Sequence, residues 1–107
     1  MLCRKWIYIG SGRNRIVWRR RNIVVKVPLN NDGLHDNWNE RKMWSKYHTH
    51  TEIKYASCRL YANYFLLMEY VNAFVPTSDL PMWANYVDCR QVGYNRRGMI
   101  VAYDYGR

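Results

Sequence analysis

Two β-branched runs, Arg15-Ile-Val-Trp-Arg19 and Ile23-Val-Val-Lys-Val27, are separated only by Arg20-Arg-Asn22 and closed by Pro28. Strand-forming stretches joined by so short a polar turn predict an antiparallel hairpin, and Pro28 cannot extend the ladder. Lys5 to Ile9 reads as a preceding strand, linked to the hairpin through Gly10-Ser-Gly12. Alternation within the second run sets Val25 and Val27 on one face and Val24 and Lys26 on the other, so Lys26 rises from a partly apolar face.

After an Asn30-Asn-Asp-Gly33 linker the pattern turns helical from about His35 to His50. Trp38, Met43 or Arg41, and Trp44 or Lys42 recur at a spacing of three to five residues, with Asp32 or Asp36 available to cap the first turn. Arg59 to Val71 is rich in strand formers, with Asn63 marking a turn between two strands. Ser78 is placed to cap a short helix over roughly Asp79 to Val87. Val92-Gly-Tyr94 and Met99 to Tyr103, around the polar turn Asn95-Arg-Arg-Gly98, predict a last hairpin. The order β-β-β-α-β-β, short helix, β-β implies a single α+β domain over residues 1–107, with one long helix covering an antiparallel sheet.

Charge is unevenly spread. The first 31 residues hold eight basic side chains and no acidic one, and the other 76 are nearly balanced, so most of the net charge of +9 lies at one end. An anionic partner is expected there: a nucleotide, a nucleic acid or an acidic protein surface. Arg13, Arg15 and Arg19 share strand parity, and Arg20 and Arg21 occupy the distal turn, which suggests one basic face with a basic tip. Twelve of the seventeen basic residues are arginine, the type suited to bidentate pairing with phosphate or carboxylate. Trp6, Tyr8 and Trp18 offer stacking surfaces for bases, and Trp38, Trp44, Trp83, Tyr86 and Tyr94 are candidate anchors for a protein partner or a self-dimer as well as core formers.

Three cysteines without a close pair argue against a disulfide framework and a zinc knuckle, and the histidines form no HExxH pattern. With no apolar run of signal-peptide or membrane-spanning length, a cytoplasmic protein with no membrane partner is expected.

Gly10-Ser-Gly12, Lys26 in mid-strand, Glu40 on the helix and Asp104 after the last strand together describe a nucleotide cleft. Glycine turns bring backbone N–H groups close to phosphate oxygens, and Lys26 and Glu40 are spaced as a strand lysine and its helical carboxylate. Each also has a plain structural reading, as a turn, a snorkelling lysine, a surface acid and a terminal turn residue.

That order resembles the amino-terminal lobe of protein kinases and their small phage-encoded relatives. The matching segments are Gly10 to Val17 for the glycine-rich loop, Val24 to Val27 for the strand lysine and Asn39-Glu40-Arg41 for its partner. Leu66 to Val71 corresponds to the strand entering the hinge, and Ile100 to Gly106 to the strand with its metal-binding aspartate. The resemblance implies that Lys26 meets α/β phosphates, Glu40 orients it, and Asp104 holds Mg²⁺ with ATP.

Departures point away from a working kinase. Arg15 stands where the third glycine falls. Taking Asp88 as the catalytic aspartate puts Gly93 at the metal-binding asparagine, whereas taking Gln91 as that ligand puts Tyr86 at the base. Only 34 positions separate Tyr70 from Asp104, too few for the usual helical lobe. The resemblance therefore implies a truncated kinase-like domain acting by binding, as a phage protein that binds or inhibits a host factor in the host cytoplasm. The alternatives are a nucleotide-binding pseudokinase or degenerate phosphotransferase, and a nucleic-acid-binding accessory protein.

Overall fold

The computed structural model describes residues 5–49, 52–87 and 91–105; Cys3, Asp88, Cys89 and Gly106 lie outside them. Strands β1 (Ile7–Ser11), β2 (Arg15–Arg20), β3 (Ile23–Pro28), β4 (Cys58–Tyr61) and β5 (Phe65–Glu69) form one antiparallel sheet in the order β1-β2-β3-β5-β4. Helix α1 (Asn31–Tyr47) lies between β3 and β4 in sequence and packs on β3, β4 and β5. A second hairpin, β6 (Val92–Tyr94) with β7 (Ile100–Ala102), joins this body by short bridges, Ala102 to Tyr55 and Tyr94 to Asn72. This is the α+β, kinase-lobe-like architecture anticipated from sequence, with several boundaries moved.

Strand β1 runs later than Lys5 to Ile9 and takes in Gly10 and Ser11, with a bulge around Ile9 that breaks its register against β2. The β2–β3 turn is a two-residue one, because Arg20 still pairs with Ile23, and Arg21 turns the chain at φ 56°. The β4–β5 turn is a three-residue one, since Tyr61 pairs with Phe65, and Ala62 and Asn63 both stand at φ 54°; Asn tolerates that region and Ala does so less well.

The helix starts four residues before His35 and ends before His48. Asn30, rather than Asp32 or Asp36, is its cap, its side-chain oxygen accepting the Gly33 N–H at 2.8 Å. Apolar spacing misplaced the start because the most buried stripe of the helix is polar or small: Gly33, Asn37 and Glu40, followed one turn later by half-buried Trp44. Gly33 is needed there, since a Cβ would lie 2.1 Å from the Asn14 carbonyl oxygen at the start of β2. The helix thus begins against the backbone of the β1–β2 hairpin.

In place of one short helix capped by Ser78 there are two 3-10 turns, Thr77–Asp79 and Met82–Tyr86, each entered from a proline, Pro76 and Pro81. Two prolines five residues apart each remove a backbone donor, which divides the segment. The core lies where the sheet meets the helix and the second hairpin: Val24, Leu66 and Met68 from β3 and β5, Cys58, Ala56 and Ala84, and Val92, Val101, Ala102 and Tyr105.

Candidate functional site: a cleft under the β1–β2 hairpin

Register decides what faces the cleft. Lys26 pairs with Val17 on one side and Leu66 on the other, and Val24 pairs with Arg19 and Met68. Directly paired residues share a face. Arg15, Val17 and Arg19 therefore point the same way as Val24 and Lys26, and that way is the cleft side. The cavity here has a volume of about 530 Å³; Gly10, Gly12, Val17, Lys26, Gln91 and Asp104 are among the residues that line it. That falls within the usual range of small-ligand sites.

Its floor is a buried ionic network. Glu40, fully buried, accepts from Lys26 Nζ and from Arg15 Nη1 on Oε1, both at 2.8 Å, and from the Tyr105 backbone N–H at 2.8 Å on Oε2. Arg15 Nη2 also reaches Oε2, at 3.3 Å, and donates to Asp104 Oδ1 at 3.0 Å. Asn37, equally buried, accepts from Arg15 Nη1 and donates to the Lys26 and Tyr64 carbonyls. Lys26 also donates to the Tyr103 carbonyl. One carboxylate thus ties together β2, β3, α1 and the segment after β7. Loss of Glu40 would leave Lys26 and Arg15 buried without their shared carboxylate, the costly case for such pairs.

Charge states follow from this geometry. Burial alone would raise the Glu40 carboxyl, but the charges and hydrogen bonds of Lys26 and Arg15 outweigh it and hold the group at about 2. Burial would lower the Arg15 guanidinium, yet Glu40 and then Asp104 push it the other way, above its ordinary value. Behind the network, burial raises the Cys58 thiol to about 11, so this cysteine stays a thiol, in contact with the Tyr105 hydroxyl.

The structure brings Lys26, Glu40 and Asp104 to one place and adds Arg15, which parity alone sets on one basic face with Arg13 and Arg19. Arg15 is 7% exposed and belongs to the cleft. Arg13 stays at the exposed rim. Arg19 lays its guanidinium 3.5 Å over the Tyr70 ring and donates to the Arg21 carbonyl. Arg20 and Arg21 face a different hollow, of about 1110 Å³, together with Arg41, Arg59, Arg96 and Arg97. The expected basic face of Arg13, Arg15 and Arg19 is thus divided among the cleft rim, its interior and the Tyr70 ring, and the tip of Arg20 and Arg21 borders a separate hollow.

Gly10 and Gly12 both line the cleft, and a Cβ at either would meet nothing within 4 Å. Packing does not require glycine at these positions. Gln91, weighed from sequence as a stand-in for the metal-binding asparagine, also lines the cleft. Its Oε1 is buried at the cleft wall without a hydrogen-bond partner among the described residues, an acceptor open to a ligand N–H or O–H. Asn37 had one legible signal, its place one turn before Glu40 on the same helix face. Gly93 lies in β6, where a Cβ would approach the Asn72 carbonyl oxygen to 2.3 Å, so a side chain is excluded there.

Among the described residues no group of three or more His, Cys, Asp or Glu side chains is arranged to hold a metal ion. No described helix is long and apolar enough to cross a membrane.

No protein-family model matches the chain, and no curated protein matches it. Solved structures do. The ternary complex of APH(2″)-IIa with streptomycin and ATP aligns at TM-score 0.56 and 15% identity, over 75% of this chain and 29% of that one. ADP-bound aminoglycoside phosphotransferase APH(2″)-Ib aligns at TM-score 0.54 and 17% identity, with the same coverage. The chain thus spans about three-tenths of the length of these two proteins. At such identity the likeness is one of fold, and it shows a kinase-like fold.

Proposed function

We propose that the protein binds a nucleotide in the cleft under the β1–β2 hairpin and acts as a binding protein rather than a phosphotransferase. The observation that carries this reading is the cleft itself: a cavity of about 530 Å³ with the end of β1 at Gly10 and Gly12 as roof, the Lys26–Glu40 pair as floor and Asp104 at its edge. Lys26 supplies a fixed cation for phosphate oxygens, with Glu40 holding its ammonium in place. The bare backbone of Gly10 and Gly12, not explained by packing, allows close approach of a phosphate chain. The Gln91 acceptor is suited to a base amine or a ribose hydroxyl. Absence of turnover is supported by Gly93, where no metal-binding side chain fits, and by Tyr86, an exposed phenol at the base position of the other alignment.

The test is calorimetric titration of ADP and ATP into the wild-type protein and Lys26→Met, a change that leaves Glu40 paired with Arg15. Saturable one-to-one binding, weakened by about tenfold or more in Lys26→Met, is expected for loss of a charge-assisted contact. Wild-type protein that binds neither nucleotide would overturn the reading.

A macromolecular partner is a second reading with its own observations. Phe74, Met82 and Tyr86 are each about four-fifths exposed on the segment after β5, a surface suited to a protein partner or a second copy of the chain. The six-arginine hollow suits a polyanion, with Trp6 and Trp44 in its wall. A tagged pull-down with and without nuclease separates these. A stoichiometric protein that survives nuclease supports the apolar segment, and enrichment lost on nuclease treatment supports nucleic acid at the arginines.

A further inference from the structure

In the resemblance to kinases, Asp104 is the carboxylate that carries a divalent cation against the nucleotide phosphates. Here that carboxylate already faces a cation of the chain itself. Arg15 Nη2 donates to Asp104 Oδ1 at 3.0 Å, and the same guanidinium is fixed by Glu40 and Asn37, two fully buried side chains. Both amino groups of Arg15 are used in this way, so it is held rigidly. It stands at the position where the glycine-rich loop would carry its third glycine, and it enters the cleft from strand β2.

A Mg²⁺ ion on Asp104 Oδ1 would sit at about 2.1 Å from that oxygen, and hence within roughly 5 Å of the guanidinium nitrogen already bonded to it. Such an ion demands a near-octahedral oxygen shell. On Asp104 it would instead meet a guanidinium, and among the described residues no group of three or more His, Cys, Asp or Glu side chains is arranged to hold it. Among the described residues the cleft wall also carries Asp36, Glu69 and the amide oxygen Gln91 Oε1. Among the described residues, Lys26 and Arg15 bridge to Glu40 and Asp104 with no metal between them. The residues present do not fit a kinase-type metal site.

We infer that Arg15 takes the electrostatic place of the divalent cation, so that this cleft binds nucleoside diphosphates without Mg²⁺. Asp104 then serves as the anchor of Arg15 rather than as a metal ligand, and Arg15 keeps the negative potential of Glu40 and Asp104 from repelling the phosphates. This inference rests on the nucleotide reading above and goes beyond it.

The experiment is titration of ADP into the wild-type protein in EDTA and, separately, in excess Mg²⁺. Expected are dissociation constants that agree within about threefold, less than half a factor-of-ten step in free energy. In Arg15→Gln the affinity in EDTA falls by about tenfold or more and is partly restored by Mg²⁺, because two carboxylates then face one lysine. In Asp104→Asn, ADP binds more tightly than to wild type in both buffers, since a negative charge is removed while Glu40 still holds Arg15. Wild-type binding that appears only with Mg²⁺ overturns this inference and leaves the nucleotide reading standing. Loss of Mg²⁺-dependent affinity in Asp104→Asn likewise marks Asp104 as a metal ligand and overturns it. No ADP binding in either buffer overturns both. The comparison of buffers uses wild-type protein alone, so the result does not depend on whether Arg15→Gln folds.

Discussion

The two ends of strand β2 begin with the same side chain and treat it in opposite ways. At one end Arg15 is buried, bonded to three side chains and raised further from neutrality by its surroundings. At the other, Arg20 and Arg21 are exposed to solvent beside four more arginines. Residue type does not decide between these fates. What decides is the presence of Glu40 and Asp104 opposite one end, delivered by a helix and a hairpin far along the chain. A guanidinium is worth burying only where carboxylates and other acceptors meet its donors, and the Arg15 end supplies Glu40, Asp104 and Asn37 to both amino groups.

That contrast can be broken most severely at its hub. Glu40→Ala leaves Lys26 and Arg15 buried without their shared carboxylate and is expected to cost about 3–5 kcal/mol, whereas Arg20→Ser should stay within about 0.5 kcal/mol. Urea denaturation of both variants measures the gap. Equal, small effects would mean that the network contributes no more than surface charge.

Acid sharpens the same contrast. Glu40 is held at about 2 in the folded protein against 4.5 ordinarily. A lowered folded value means that its contribution is complete above the ordinary carboxylate range and disappears as pH falls through about 2. Stability should therefore decline from about pH 4.5 downward, by on the order of 3 kcal/mol for this group. Denaturation midpoints measured across that window in wild type and Glu40→Gln give the check, and a wild-type profile as shallow as that of the variant would contradict it.

The glycines make a gentler pair. Gly33→Ala forces a methyl against the Asn14 carbonyl and should destabilise by about 2 kcal/mol, while Gly12→Ala meets open space and should change stability by less than about 0.5 kcal/mol. In ADP titrations Gly12→Ala should still bind more weakly, because the methyl lies at the roof of the cleft. Unchanged affinity would make Gly12 an ordinary turn residue.

The sheet, the helix and the closing hairpin were legible because their signals are local: β-branched runs, short turns and helical spacing. Lys26 and Glu40 were legible through order along the chain, and the structure sets them 2.8 Å apart. Helix bounds were not legible, because the buried stripe of Gly33, Asn37 and Glu40 carries no apolar period. The fate of Arg15 was half legible. Its parity with Val17, and hence its common face with Lys26, follows from the hairpin, but which face looks into the cleft depends on contacts from Asp104 and Tyr105, some ninety residues away. The split of the 72–87 segment into two 3-10 turns was signalled by Pro76 and Pro81, which a reading centred on Ser78 passed over.

The most direct test of the cleft as a nucleotide site is a nuclear magnetic resonance titration of isotope-labelled protein with ADP, read residue by residue. Shifts confined to the amides of Gly10, Gly12 and Tyr103 and the side-chain amide of Gln91, with Arg96 to Gly98 unmoved, are the expected result. Shifts at the arginine hollow with the glycine turn unchanged would contradict it.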